Sequence, residues 1–507
     1  MALARIQSIA FLGLEAVPVE VEVDVKSAEK FTLIIVGLPD AAVKESKDRV
    51  LTALRNSQYA LPALQCTVNL APGDLKKEGA LYDLPIALGL LLSQGQIESK
   101  VHADYLCVGE LSLSGQMRPM RGALSAALLA REMGKKGILL PVQNAEEAAA
   151  IPGIAVIGIE NLREACQFLQ KPASLTAYQY NPKEALLECP AAAMDFSDIK
   201  GQSHVKRAAE IAAAGGHNLL FYGPPGSGKT LIAKAIIGIL PPLSLEESLE
   251  VTKIHSIVGL VRKGLVAERP FRSPHHTVSS IGLVGGGGIP RPGEISLAHH
   301  GILFLDELPE FSRSALEVLR QPLENRTVTI SRAQGTFTFP TNCMCIAAMN
   351  PCPCGLLGHP QKPCRDTPAQ VQRYRNKISG PLLDRIDMHV EVPAVPFKDL
   401  SAAEKPEASE TIRKRVADAR QVQAQRLGLL RTNAQMSARE LAQYCAMDAA
   451  CNMLMRQAMD KMGISARAFH RILKAARTIA DLDRKEKIEK DHLMEAMAFR
   501  SWDASTL

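Results

Sequence analysis

Residues 219–230 read LLFYGPPGSGKT, an apolar run followed by a glycine-rich loop, a lysine and a hydroxyl. Residue types in this order suit binding of a nucleoside triphosphate. The loop Gly223-Pro224-Pro225-Gly226-Ser227-Gly228 lets successive backbone N–H groups face phosphate oxygens, Lys229 reaches the outer phosphates, and Thr230 offers its hydroxyl to Mg²⁺. About eighty residues on, Gly301-Ile-Leu-Phe-Leu ends in Asp306 and Glu307. The first acid is expected in the Mg²⁺ shell and the second beside the attacking water, the pattern of a Walker B element. Asn350, which ends the run CMCIAAMN, is expected to orient that water, because an amide both accepts and donates. The expected chemistry is hydrolysis of ATP with Mg²⁺.

These groups need a scaffold. LLFY, GILFL and CMCIAAM are apolar enough for buried parallel strands, and LIAKAIIGIL supplies a helix whose N-terminus faces the anion. The fold class expected is α/β, a P-loop core with a helical C-terminal lid.

The 507-residue chain is 47% apolar and 22% charged, so large cores are affordable, and a formal charge of only +6 does not by itself announce nucleic acid. No run approaches the length of a membrane helix, the N-terminus lacks a signal-peptide pattern, and eleven scattered cysteines suggest reduced thiols; a cytoplasmic location is expected.

The first third has a different pattern. VPVEVEVDV alternates with the period of a half-exposed strand, FTLIIVG and CTVNLAP follow as strands, Asp40 caps a helix through Val43, Val50, Leu51 and Leu54, and residues 76–92 read as a second helix. Several stretches, KEGAL at 77–81, VGELSLSGQMRPMRGAL at 108–124 and GILLPVQNAEEAAAI from Gly137, resemble the proteolytic domain of Lon proteases. That implies an α+β, ribosomal S5 domain 2-like fold. Leu81 stands where the family has its serine and Leu124 where it has its lysine, so no Ser/Lys dyad is expected. The expected organisation is an inactive Lon-like domain over 1–171, a linker over 172–194, the ATPase core over 195–395 and a helical lid over 396–507.

Residues 241–300 are too long for a simple crossover. They are expected to project from the core with Arg262, Lys263, Arg269 and Arg272 as mobile cations, and the pairs His275-His276 and His299-His300 as polar loop contacts rather than metal ligands. A helix is expected over 314–324. RTVTISRAQGTFTFP, 326–340, reads as a hairpin. Cys352, Cys354 and Cys364 are candidate Zn²⁺ ligands, with His359 or Asp366 as the fourth; a metal-free loop of reduced thiols is the alternative. The helix expected over 409–427 is either basic on one side or simply solvated.

DFSDIKGQ, 195–202, is similar to the phrase that precedes the P-loop in AAA+ ATPases, and a hairpin before the next core strand resembles the clade of magnesium chelatases and minichromosome maintenance helicases. Together with ILFLDE, AAMNPCPCG, SGPLLDRIDMHVEVP and ARTIADL, these stretches resemble the bacterial magnesium chelatase-like family called YifB or ComM across nearly the whole chain. The resemblance implies Arg385 as an arginine finger, with a salt bridge to Asp384 or Asp387 as its structural alternative. It also implies Arg467, or failing it Arg471, as a lid arginine reaching the γ-phosphate, and Arg332 as a DNA contact in a ring pore. That family usually has a fourth cysteine where this chain has Asp366. The function implied is a hexameric ring that hydrolyses ATP between subunits, binds single-stranded or branched DNA, and drives branch migration during natural transformation and recombination. Two other readings stay open: a motor subunit of a magnesium-chelatase-type complex, and a nucleotide-controlled assembly protein without translocation.

Overall fold

The computed structural model describes residues 3–187, 194–288, 290–332, 335–358, 362–396, 398, 406–462 and 465–500. Contacts divide the chain into two units, Met1–Glu188 with Ser248–Ala267, and Cys189–Glu247 with Glu268–Leu507.

The first unit is built on a seven-stranded mixed sheet, ordered Thr32–Val36, Leu64–Ala71, Glu15–Ser27, Ala4–Leu12, Tyr105–Cys107, Gly137–Pro141, Ala155–Ile159. The alternating stretch behaves as its period predicts: Val19, Val21, Val23 and Val25 are buried while the acids between them reach the edge of solvent. Asp40 caps the helix Ala41–Asn56 by accepting from Val43 N at 2.8 Å. The second helix starts at Asp83, not at residue 76. Lys77 is taken by backbone bonds with Leu38 (3.2 Å) and Asp40 (3.0 Å), and Gly79 has φ +79°, so neither continues a helix. Asp83 is buried; burial pushes its carboxyl up, against a 2.9 Å bond from Arg49 Nε.

Ser248–Ala267 corrects the picture of a projecting arm. Within the first unit, Ser256 Oγ accepts from Gly122 N at 2.9 Å and donates to Glu147, Lys253 Nζ lies 2.6 Å from Glu15, and Leu265 N donates to Tyr180 Oη at 3.1 Å. Hydrogen bonds of this number hold the segment in place. They also anchor part of the expected linker, where Tyr178 N donates to Val156 O at 2.8 Å.

The second unit contains a five-stranded parallel sheet, ordered Phe271–Arg272, Ile302–Leu305, Met344–Met349, Leu219–Tyr222, Met388–Glu391. Its strands are buried apolar runs, as a parallel sheet covered by helices requires. The helix expected over 314–324 is two short ones, Arg313–Glu317 and Arg320–Asn325, the second with Pro322 in its first turn, where no N–H is needed. Thr327–Arg332 pairs antiparallel with Gly335–Pro340; residues 333 and 334 of this hairpin lie outside the described residues. From residue 406 on, the described residues form the α-helices Ser409–Leu427, Ala438–Tyr444, Ala449–Met462, Ala466–Leu482 and Lys490–Ala498. In the first, three of the four arginines of the expected basic side are engaged: Arg420 donates to Ala213 O (2.7 Å), Arg426 pairs with Asp481 (2.6 Å), and Arg415 pairs with Glu210 and Glu407. Burial draws the Arg420 guanidinium down to about 9.

Candidate active site

Register decides what meets at the C-terminal edge of the parallel sheet. Leu220 faces Ala347 and Tyr222 faces Met349, while Leu305 also faces Ala347, so the chain leaves neighbouring strands into the glycine loop, Asn350 and Asp306 at one edge. Gly223 sits where a Cβ would come within 2.1 Å of Val392 O, which excludes any other residue. Gly226 (φ +77°) and Gly228 (φ +92°) are left-handed and open, with nothing within 4 Å of an added Cβ.

Lys229 opens the helix Lys229–Ile239 and folds back onto its own loop, donating to Gly223 O (2.8 Å), Pro224 O (2.9 Å) and Asn350 Oδ1 (3.3 Å). Burial lowers its pKa, and Asp306 opposes that shift. Thr230 Oγ1 donates to Asp306 Oδ2 at 2.8 Å, and Asp306 Oδ1 accepts from Glu307 N at 2.9 Å. Ser227 Oγ is buried and has no hydrogen-bond partner among the described residues. A cation held only by neutral oxygens, a hydroxyl on a carboxylate, open glycines and an orphaned buried hydroxyl fit a polyphosphate with its Mg²⁺. Lys229, the loop amides and Ser227 would hold the phosphates, and Thr230 and Asp306 the metal.

Glu307 is a non-glycine residue at φ +52°, a backbone conformation that costs about 1 kcal/mol or more and clusters at functional sites. Its side chain is 59% exposed, and Oε2 lies 3.4 Å from His276 Nδ1. His276 is what sequence reasoning missed. The doubled histidine was visible, but the two-residue strand Phe271–Arg272 that aims it at this edge was too short to read.

Other expected residues lie apart from this cluster. Arg385 is nearly buried, donating to Arg320 O (2.8 Å) and Pro381 O (2.7 Å) and pairing with Glu324. Its carboxylate partner is therefore neither Asp384 nor Asp387. Asp387 is taken by Arg471 and by Asn218 N at 2.8 Å. Burial alone would raise the Asp387 carboxyl, yet Arg471 and His217 hold it far below the usual range. Arg471 is thus committed, whereas Arg467 is exposed. Arg332, at the hairpin end, is exposed and, among the described residues, donates to the carbonyls of Gly287 (3.3 Å) and Ser331 (3.2 Å).

Two of the four expected mobile cations are fixed. Arg269 binds Glu247 at 2.7 Å and three backbone carbonyls, and Arg272 binds Glu294 at 2.7 and 2.8 Å. Arg262 and Lys263 are exposed, and both belong to the first unit; Lys263 Nζ is 4.0 Å from Glu146. Cys352, Cys354, Cys364 and Asp366 cluster, while His359 lies outside the described residues. No helix among the described residues is long and apolar enough to cross a membrane.

Residues 195–400 match the family described as magnesium chelatase, subunit ChlI; residues 21–144 match subunit ChlI of Mg-chelatase, and residues 406–500 the ChlI C-terminal region. The chain is 44% identical to the uncharacterized protein YifB of Escherichia coli, over 99% of this chain and 98% of that protein. It is 42% identical to the competence protein ComM of Haemophilus influenzae over the same shares. The N-terminal region is also similar to Lon protease 2 of Bacillus subtilis, 28% identical over 146 residues, 27% of this chain and 26% of that one.

Proposed function

The chain belongs to the magnesium chelatase ChlI-like AAA+ family, in the group of YifB and ComM, and from that premise we propose that it is an ATP-driven DNA motor that migrates branched DNA during uptake or recombination. The observation that carries the reading is the direct joining of Lys229 to Asn350 and of Thr230 to Asp306 at one sheet edge, with Glu307 beside them. Glu307 would polarise water, Asn350 would orient it, and Arg385 would enter the site of a neighbouring copy in a hexameric ring as charge moves to the leaving group. Arg467 is proposed to reach the γ-phosphate from the lid. Arg332 supports the DNA reading, because an exposed guanidinium whose partners among the described residues are carbonyls is well placed to meet a phosphate. Exposed Arg262 and Lys263 are further proposed phosphate contacts. Similarity to the competence protein ComM supports a competence-related role. The N-terminal unit is proposed to act in assembly or in substrate contact, without proteolysis.

The test is migration of a synthetic four-way junction with ATP, with Glu307→Gln as control. Migration by the unaltered protein alone is expected, and ATP turnover should rise with branched or single-stranded DNA. The match to magnesium chelatase subunit ChlI favours one second reading, a motor subunit of a magnesium-chelatase-type complex. Turnover indifferent to DNA, with no migration, would favour that reading.

A further inference from the structure

The loop after Asn350 brings three sulfurs into a near-equilateral triangle. Cys352 and Cys354 Sγ lie 3.4 Å apart, and Cys364 Sγ lies 3.6 Å from each. Asp366 Oδ2 is 3.8 Å from Cys364 Sγ and accepts from Cys354 N at 2.8 Å, and the four donor groups all lie within 4.8 Å of one another. A tetrahedral zinc ion with Zn–S near 2.3 Å and Zn–O near 2.0 Å sets its sulfurs about 3.8 Å apart and its oxygen about 3.5 Å from each. The observed spacings are close to those edges. A disulfide needs sulfurs about 2.05 Å apart and would leave the third cysteine without a partner.

We propose that Cys352, Cys354, Cys364 and Asp366 form a Cys₃Asp site for Zn²⁺, and that the knuckle it ties braces the phosphate loop. Three thiolates and a carboxylate this close repel strongly unless a divalent cation lies between them, so binding the ion and ordering the loop are one event. The knuckle has two connections to the nucleotide site. Cys352 follows Asn350 after a single residue, Pro351, whose carbonyl accepts from buried Arg375 at 3.2 and 3.3 Å. Gly355, at φ +75°, packs so closely that a Cβ there would come within 2.6 Å of Pro225 Cδ in the phosphate loop. Tying the knuckle therefore fixes Pro225 from one side and the stem of Asn350 from the other. This bracing role rests on the nucleotide-site reading; the metal site does not.

The test uses the full chain, purified without added metal. Elemental analysis should find about one zinc per chain. Asp366→Ala, at a half-buried loop position, should keep the helical circular dichroism signal and weaken zinc affinity by about a hundredfold. His359→Ala should bind zinc as the unaltered protein does. Less than about a tenth of an equivalent, a Cys352–Cys354 disulfide found by mass spectrometry, or zinc lost from His359→Ala but kept by Asp366→Ala would overturn the site. Stripping the ion with a chelator should weaken binding of a fluorescent ATP analogue about tenfold, with recovery on adding Zn²⁺. Unchanged affinity after stripping would overturn the brace alone. A zinc-loaded protein that binds no nucleotide would instead overturn the nucleotide-site reading, and with it the brace, and leave the metal site standing.

Discussion

Each unit contains a place where family likeness puts catalysis, and the two have been furnished oppositely. In the nucleotide unit the polar groups stay: Lys229 keeps its place in the loop although burial lowers its pKa, Thr230 holds Asp306, and Glu307 occupies a left-handed backbone. In the N-terminal unit, Leu81 is half-buried, and Leu124 is fully buried at the start of the helix Ala123–Glu132, its N–H donating to Glu147 at 2.8 Å. A leucine at either point adds apolar contact and asks for no hydrogen bond. Apolar side chains at such points are the low-cost choice, because a buried ionisable group is tolerated only with partners. Reactive positions that remain expensive are thus the better evidence of continuing use.

Substitutions on both sides test this contrast, and the largest effect is expected from Lys229→Ala. It should abolish binding of a fluorescent ATP analogue, a loss above about a thousandfold, because the outer phosphates then face no cation. Glu307→Gln should bind the analogue normally and lose turnover about a thousandfold. Arg385→Ala should lose turnover by a similar factor in the assembled protein. Its melting should be followed as well, since the same guanidinium bonds Glu324 and two carbonyls. Full turnover by assembled Arg385→Ala, or by an isolated protomer, would remove the seam between subunits from the mechanism. On the other side of the contrast, Leu124→Lys forces a long amine into a fully buried apolar position, where the nearby Glu147 carboxylate already accepts from Leu124 N and Ser256, and should destabilise the N-terminal unit by about 4 kcal/mol. A folded Leu81→Ser, Leu124→Lys double variant that cleaved peptides would show a protease site kept in waiting.

What was legible in advance follows from how locally each feature is encoded. The phosphate loop, the acids after GILFL and Asn350 are contiguous with apolar runs that only a buried parallel strand explains, and sheet register then brings them to one edge. The alternating valines of 17–25 were legible for the same reason. The misreadings came from tertiary partners. Arginines 269, 272, 415, 420 and 426 look free in sequence, yet their partners include Glu247, Glu294, Glu210, the Ala213 carbonyl and Asp481, most of them remote along the chain. The helix read from residue 76 failed because Lys77 bridges backwards to residues 38–40, a pairing that no periodicity announces. Arg385 was singled out by its motif, but its bond to Glu324 spans 61 residues and was invisible.

The smallest expected effect concerns His276, and it sharpens what a furnished site contains. Phe271–Arg272 runs parallel beside Ile302–Leu305, so the chain after it leaves the sheet at the edge where Glu307 sits. There the His276 ring lies 4.1 Å from that of His275 and meets Phe311 edge-on at 6.4 Å, which sets Nδ1 3.4 Å from the Glu307 carboxylate. An oxygen engaged by an imidazole is less able to draw a proton from water, so the contact should restrain hydrolysis while no partner is bound. Glu307 is exposed and His276 partly so, and a contact of that kind is worth less than about 1 kcal/mol. His276→Ala should accordingly raise basal turnover about threefold, equivalent to about 0.7 kcal/mol of barrier, with KM unchanged. The Glu307→Gln background should show no such rise, because the carboxylate being released is no longer there. A tenfold fall instead would make His276 a group that orients Glu307 toward water, and would place one more working residue on the nucleotide side of the contrast.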